Sequence, residues 1–63
     1  MPKGKALLAI RALLGPLGHA KRHGALCSVG AFSPIDHLYH EYGSGTTFEE
    51  AIAEAKVAQN TLL

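Results

Sequence analysis

The chain has 63 residues and a mass of 6.6 kDa, with a formal charge of +1, one cysteine and no tryptophan. Such a length makes one domain, residues 1–63, and at about 60 residues only roughly 60% of the unfolded chain's surface is buried on folding. One cysteine cannot close an intramolecular disulfide, so the fold leans on a metal, on self-association or on a partner, or stays marginal. A lone thiol also fits a reducing, cytoplasmic setting.

Helix signals come first along the chain. At 100° per residue, Ala6, Leu7, Ile10, Leu13, Leu14 and Leu17 share an arc of roughly 120°. Leu8 stands apart on the polar side. This predicts a helix over about 4–14. Gly15-Pro16 interrupts it, and Pro16 suits the first turn of a second helix over 16–23. His19, Lys21, Arg22 and His23 before Gly24 read as that helix's C-terminus, where cations meet free carbonyls.

Residues 25–32 are small and apolar, and periodicity does not separate helix, strand and connector over eight positions. A lone strand would lack a partner, so helix or connector is the expectation. Ser33-Pro34-Ile35-Asp36 reads as a helix start, with Ser33 as cap and Asp36 facing the positive helix end. The predicted helix covers 34–42 and ends at Gly43. Ile35, Leu38, Tyr39 and Tyr42 line one side of it, and Asp36, His37, His40 and Glu41 the other. Thr47-Phe48-Glu49-Glu50 is a capping box opening a last helix over 48–62. Phe48, Ala51, Ile52, Ala55, Ala58, Leu62 and Leu63 share a face, and its alanines admit a close neighbouring helix.

These elements predict an all-α protein, a small bundle of three to four short helices completed by oligomerisation. Its apolar contact surfaces are expected at Leu7, Leu8, Ile10, Leu14 and Leu17 of the first half, and at Ala51, Ala55, Ala58 and Leu62 of the last helix.

Charge is divided along the chain. Lys3, Lys5, Arg11, Lys21 and Arg22 give residues 1–35 a charge of +5 with no acid. Asp36, Glu41, Glu49, Glu50 and Glu54 against Lys56 give the remainder −4. Self-complementary packing accounts for this split, within one chain or between copies. The basic half lacks interleaved aromatic residues, and the predicted later helices are acidic at their starts, so nucleic acid is not an expected partner. No apolar run has transmembrane length, and membrane association is not expected.

Two histidine pairs, His19-x3-His23 and His37-x2-His40, would each share a helix side and offer zinc ligands. The same residues also serve as helix-end cations and as partners of Asp36 and Glu41, so no metal or other cofactor is expected, with zinc as the alternative. Cys27 lies among Leu26, Val29, Ala31 and Phe32, which fits an inert packed thiol, and no catalytic constellation is present.

The run His23-Gly24-x2-Cys27-x2-Gly30-Ala31, following Arg-Ala-Leu-Leu, resembles a stretch of short uncharacterised actinobacterial and phage proteins. It covers about a third of the chain and departs from that stretch in lacking an aromatic residue and a longer polar insert between Gly24 and Cys27. The resemblance implies no activity, only a small accessory protein that acts by binding. The expected function is a non-enzymatic protein-binding module, a regulator, inhibitor or assembly subunit, paired with itself or with a larger protein. A metal-stabilised protein using the histidines and a nucleic-acid accessory using the basic half are the alternatives.

Overall fold

The computed structural model describes residues 1–61. It is an α+β fold and not an all-α bundle: α1 (Lys3–Leu14), β1 (Gly18–His23), β2 (Leu26–Phe32), β3 (Tyr39–Gly45) and α2 (Phe48–Thr61). The strands form one antiparallel sheet in the order β1-β2-β3. Both helices cover the same face of it.

The expected helices over 16–23 and 34–42 do not form, and each has a local reason. Gly24 is not a helix terminator. It is the first central residue of a two-residue turn between His23 and Leu26, at φ +59°. That is the glycine position of a type II′ hairpin turn, whose twist suits antiparallel strands. Residues 25–32 thereby gain the partner strand that a lone strand would lack, with Ala20 opposite Val29 and Arg22 opposite Cys27.

The Ser33 signal is real but closes a loop. Ser33 Oγ accepts the Ile35 N–H at 3.1 Å, and the His37 N–H donates to the Ser33 carbonyl at 3.0 Å. His37 then adopts φ +60°, which ends any helical course after one turn. Asp36 Oδ1 accepts the Leu38 N–H at 2.9 Å, and the chain leaves as β3.

Gly43, read from sequence as a helix end, is a close-approach site inside β3. A Cβ there would run into the Ala51 carbonyl oxygen and lie 2.7 Å from the Ala55 amide nitrogen. Its missing side chain lets α2 settle onto the strand.

The core is small and mostly of small residues: Ala6 and Ile10 of α1, Ala20, Cys27 and Val29 of the sheet, Phe48, Ala51, Ile52 and Ala55 of α2. Leu13, Leu14 and Tyr42 pack at its edge. Gln59 Nε2 donates to the Leu13 carbonyl at 3.3 Å and joins the helix ends. At the start of α2, the Glu50 N–H donates to Thr47 Oγ1 at 3.2 Å, while Glu50 Oε1 accepts the Thr46 N–H at 3.1 Å.

Candidate binding face

Alternation along the strands sends Ala20, Cys27 and Val29 toward the helices. It sends His19, Lys21, Ser28 and Phe32 to the side that neither helix covers. β3 joins them through a bulge. Val29 pairs with Gly43 and Gly30 with Glu41, leaving Tyr42 as the extra residue. Tyr42 therefore packs on the core, whereas Tyr39 lies on the open side.

The open side holds a compact aromatic cluster. His19 and Phe32 ring centroids are 5.3 Å apart and tilted at 51°, while Phe32 and Tyr39 at 5.7 Å and His19 and Tyr39 at 6.1 Å meet edge to face. Lys21 Nζ sits 4.2 Å from the Tyr39 ring centroid. Tyr39 Oη and Ser28 Oγ share a hydrogen bond of 2.9 Å. Gly30, between His19 and Glu41 in the register, is buried at the middle of this face.

Electrostatics follow the chain's charge division. Burial, then the cations of Lys3, Lys21 and Arg11, hold His19 below its ordinary value. Burial pushes the Tyr39 phenol up, and the Glu41 carboxylate adds to the shift. The face is thus cationic toward β1 and acidic toward β3.

At one end of the sheet lies a groove of about 490 Å³, lined by Leu14, Pro16, Leu17, Ala31, Pro34 and Tyr42 together with Ser33, His40 and Phe32 of the aromatic cluster. Beside it runs the 33–38 loop, closed by the Ser33 N–H donating to the Leu38 carbonyl at 2.9 Å. The loop holds Ile35 90% and Leu38 61% exposed. Asp36 also meets His40 Nε2 at 3.5 Å across the loop base. The Leu38 amide, ahead of His40 and Ser33, keeps the Asp36 carboxyl below its ordinary value.

The residues singled out by sequence are dispersed. Ile10, Ala51 and Ala55 are fully buried against their own sheet, so they offer no contact surface. Leu7 and Ala58 are half-buried, Leu14 lines the groove, Leu17 flanks it, and Leu8 is 70% exposed on α1. Leu62 lies outside the described residues. The paired histidines lose their helical basis. His19 and His23 lie four residues apart along β1, about 13 Å at strand rise. His37 is in the loop and His40 on β3. Among the described residues no group of three or more His, Cys, Asp or Glu side chains is placed to hold a metal ion. Cys27 is buried, with Sγ 3.9 Å from the Thr46 carbonyl oxygen. Among the described residues no helix is long and apolar enough to cross a membrane.

Sequence reasoning missed the open face because it placed its members on different helices. The signal that could have found it is period-two alternation, with His19 and Lys21 on one side of Ala20, and Ser28 and Phe32 flanking the apolar run of β2. In comparison with known proteins, no family model, no curated protein and no solved structure matches the chain.

Proposed function

We propose that this protein is a small non-enzymatic binding module that pairs with a second copy of itself through the groove and the 33–38 loop. The observation that carries this reading is the loop. Ile35 and Leu38 project into solvent, yet the loop that presents them is closed by its own hydrogen bonds and so loses little freedom on binding. Apolar side chains held out in this way are characteristic of contact sites.

The second copy is favoured as occupant because loop and groove adjoin on one molecule. A two-fold pair then seats each loop in the other copy's groove and makes every contact twice. The acidic loop residue Asp36 would also face the basic half of its neighbour, where Arg11 donates to the carbonyl of Gly18 at 3.2 Å, next in the chain to the groove residue Leu17. Assembly supplies the stability that a core of this size lacks. The buried, single thiol supports a reducing, cytoplasmic setting, and the reading invokes no cofactor.

Sedimentation equilibrium and native mass spectrometry test this directly. The expected wild-type species is a multiple of 6.6 kDa that dissociates on dilution. Ile35→Glu with Leu38→Glu should give the monomer with unchanged far-ultraviolet circular dichroism. A wild-type chain that remains monomeric at every concentration overturns the proposal. So does an assembly indifferent to both substitutions.

A further inference from the structure

We infer that the second copy docks strand against strand, the outer edge of β3 pairing antiparallel with the same edge of its mate so that the two sheets become one. This geometry rests on the self-association proposed for the loop and groove, and it names the backbone that makes the contact.

The ladder decides which backbone groups are free. The Ser33 N–H donates to the Leu38 carbonyl at 2.9 Å, so these two residues face one another at the start of the β2–β3 pairing. Bonding residues alternate along an antiparallel strand. His40, paired with Ala31, therefore also turns its N–H and C=O toward β2, while Tyr39 and Glu41 turn theirs outward. No strand lies beyond β3 among the described residues, and His40 and Glu41 are exposed. An open edge of this kind is a template for a further strand.

The opposite edge is closed. The Phe32 N–H donates to the Leu17 carbonyl at 3.0 Å, so the same alternation sends the backbone groups of Gly18 and Ala20 to the outer side of β1. There the Arg11 guanidinium covers the Gly18 carbonyl at 3.2 Å, and Ala20 is fully buried. A strand can add on one side only. Two copies joined through β3 leave only β1 edges at either end, and the assembly stops at a pair.

The occupant is a second copy because the edge complements itself. With the two-fold at His40, Tyr39 lies opposite Glu41 of the other copy and exchanges both hydrogen bonds with it, and the converse pair does the same. Glu41 of each copy comes beside the Tyr39 ring on which the other copy's Lys21 rests, which sets opposite charges together across the junction. On the helix side, exposed Leu38 meets Tyr42 of the other copy's groove. A shift of one residue would set free backbone groups against occupied ones. A shift of two would set Glu41 against Glu41, with like-charge repulsion, or lay the Asp36 carboxylate against Tyr42. The bulge at Tyr42 ends the pairing there.

The test is a cysteine at the two-fold. His40 faces its own mate as a non-bonded pair, with Cα atoms about 4.5 Å apart, within the span of about 4.4–6.8 Å that a disulfide bridges. In oxidised glutathione, His40→Cys should run as a disulfide-linked dimer on non-reducing gels. Wild type, whose Cys27 is buried, and Lys56→Cys on the exposed side of α2 should not. Glu41→Pro removes the outward N–H, should keep the fold by circular dichroism, and should weaken assembly at least about ten-fold, since one bond is lost in each symmetric pair. A wild-type chain that is monomeric at every concentration removes the self-association and this geometry together. A wild type that pairs, and loses pairing on Ile35→Glu/Leu38→Glu, while His40→Cys stays unlinked, leaves the loop contact standing and overturns the strand pairing. Linkage of Lys56→Cys to the same extent as His40→Cys overturns it, as does a folded Glu41→Pro chain that assembles as well as wild type. If Glu41→Pro fails to fold, the His40→Cys linkage decides alone.

Discussion

Lys21 and Tyr39 come from the two outer strands of the sheet, yet the lysine ammonium rests 4.2 Å from the centre of the tyrosine ring. The contact spans β2 on the side no helix covers and ties β1 to β3 without a hydrogen-bond ladder between them. Stacking of this kind at an accessible site contributes about 0.5–1 kcal/mol. A double-mutant cycle of Lys21→Ala and Tyr39→Leu in urea denaturation should return a coupling of about that size. Additive losses would show that the two side chains merely lie near one another. Tyr39→Phe should separately cost about 0.5–1.5 kcal/mol by removing the bond to Ser28 Oγ.

Gly43→Ala should be among the most damaging single changes in the chain. The added methyl meets backbone atoms of Ala51 and Ala55, which cannot turn aside as a side chain would. Overpacking of this kind costs about 1–3 kcal/mol or more, a large part of the stability of so small a domain. Gly24→Ala meets no atom but must hold φ +59°, so its cost should be about 1 kcal/mol. Denaturation midpoints in urea should rank Gly43→Ala well below Gly24→Ala.

Ile10→Ala removes one of the largest fully buried side chains and should destabilise by about 2–5 kcal/mol. Leu8→Glu, two residues away and 70% exposed, should fall within about 0.5 kcal/mol of wild type. Thermal melts of the two variants should differ accordingly. A severe loss in Leu8→Glu would place that face against something in the native state.

Stability should also follow pH in two limbs. His19 is held below its ordinary 6.5, first by burial and then by Lys3, Lys21 and Arg11. The unfolded chain then binds more protons than the folded one between the lowered value and 6.5, so stability rises with pH through that window and levels off above it. Three carboxyls act at lower pH. Glu50 is lowered chiefly by the Thr46 hydroxyl, Glu49 by its own amide and the terminal amine, and Asp36 by the Leu38 amide. Their contribution is complete above the ordinary values of 4.5 and 3.8 and is lost as pH falls through the lowered ones. Melting temperatures should therefore fall below pH 6.5 and again in strong acid. His19→Phe should flatten the upper limb and Glu50→Gln the lower. A melting temperature constant from pH 8 to pH 5 would contradict the His19 assignment.

The two ends of the fold were legible in the sequence because their signals are local. The Ala6–Ile10 spacing and the Thr47–Glu50 box each sit within one element, and both form much as written. The middle was misread because its punctuation is ambiguous. A glycine after a basic run ends a helix or turns a hairpin, and Gly24 does the second because β2 is there to pair with. Ser33 caps one turn in either case, and only the positive φ at His37 decides that the turn goes no further. The candidate face was hidden for a related reason. Its members lie at positions 19, 21, 28, 32 and 39, and no helical period gathers them. Pairing of His19 with Gly30 and of Phe32 with Tyr39 does so, and pairing is a long-range property.

The bulge at Tyr42 makes the two sides of this small protein separately variable. Because one extra residue sends Tyr42 inward while Tyr39 stays outward, adjacent stretches of a single strand answer to different demands: packing of the core on one side, the make-up of the open face on the other. Substitutions on the outward positions can accumulate without disturbing the core. A one-residue deletion between 39 and 43 would exchange the roles of both sides at once. Length, more than composition, is therefore the conserved quantity to look for in this strand among descendants of the chain.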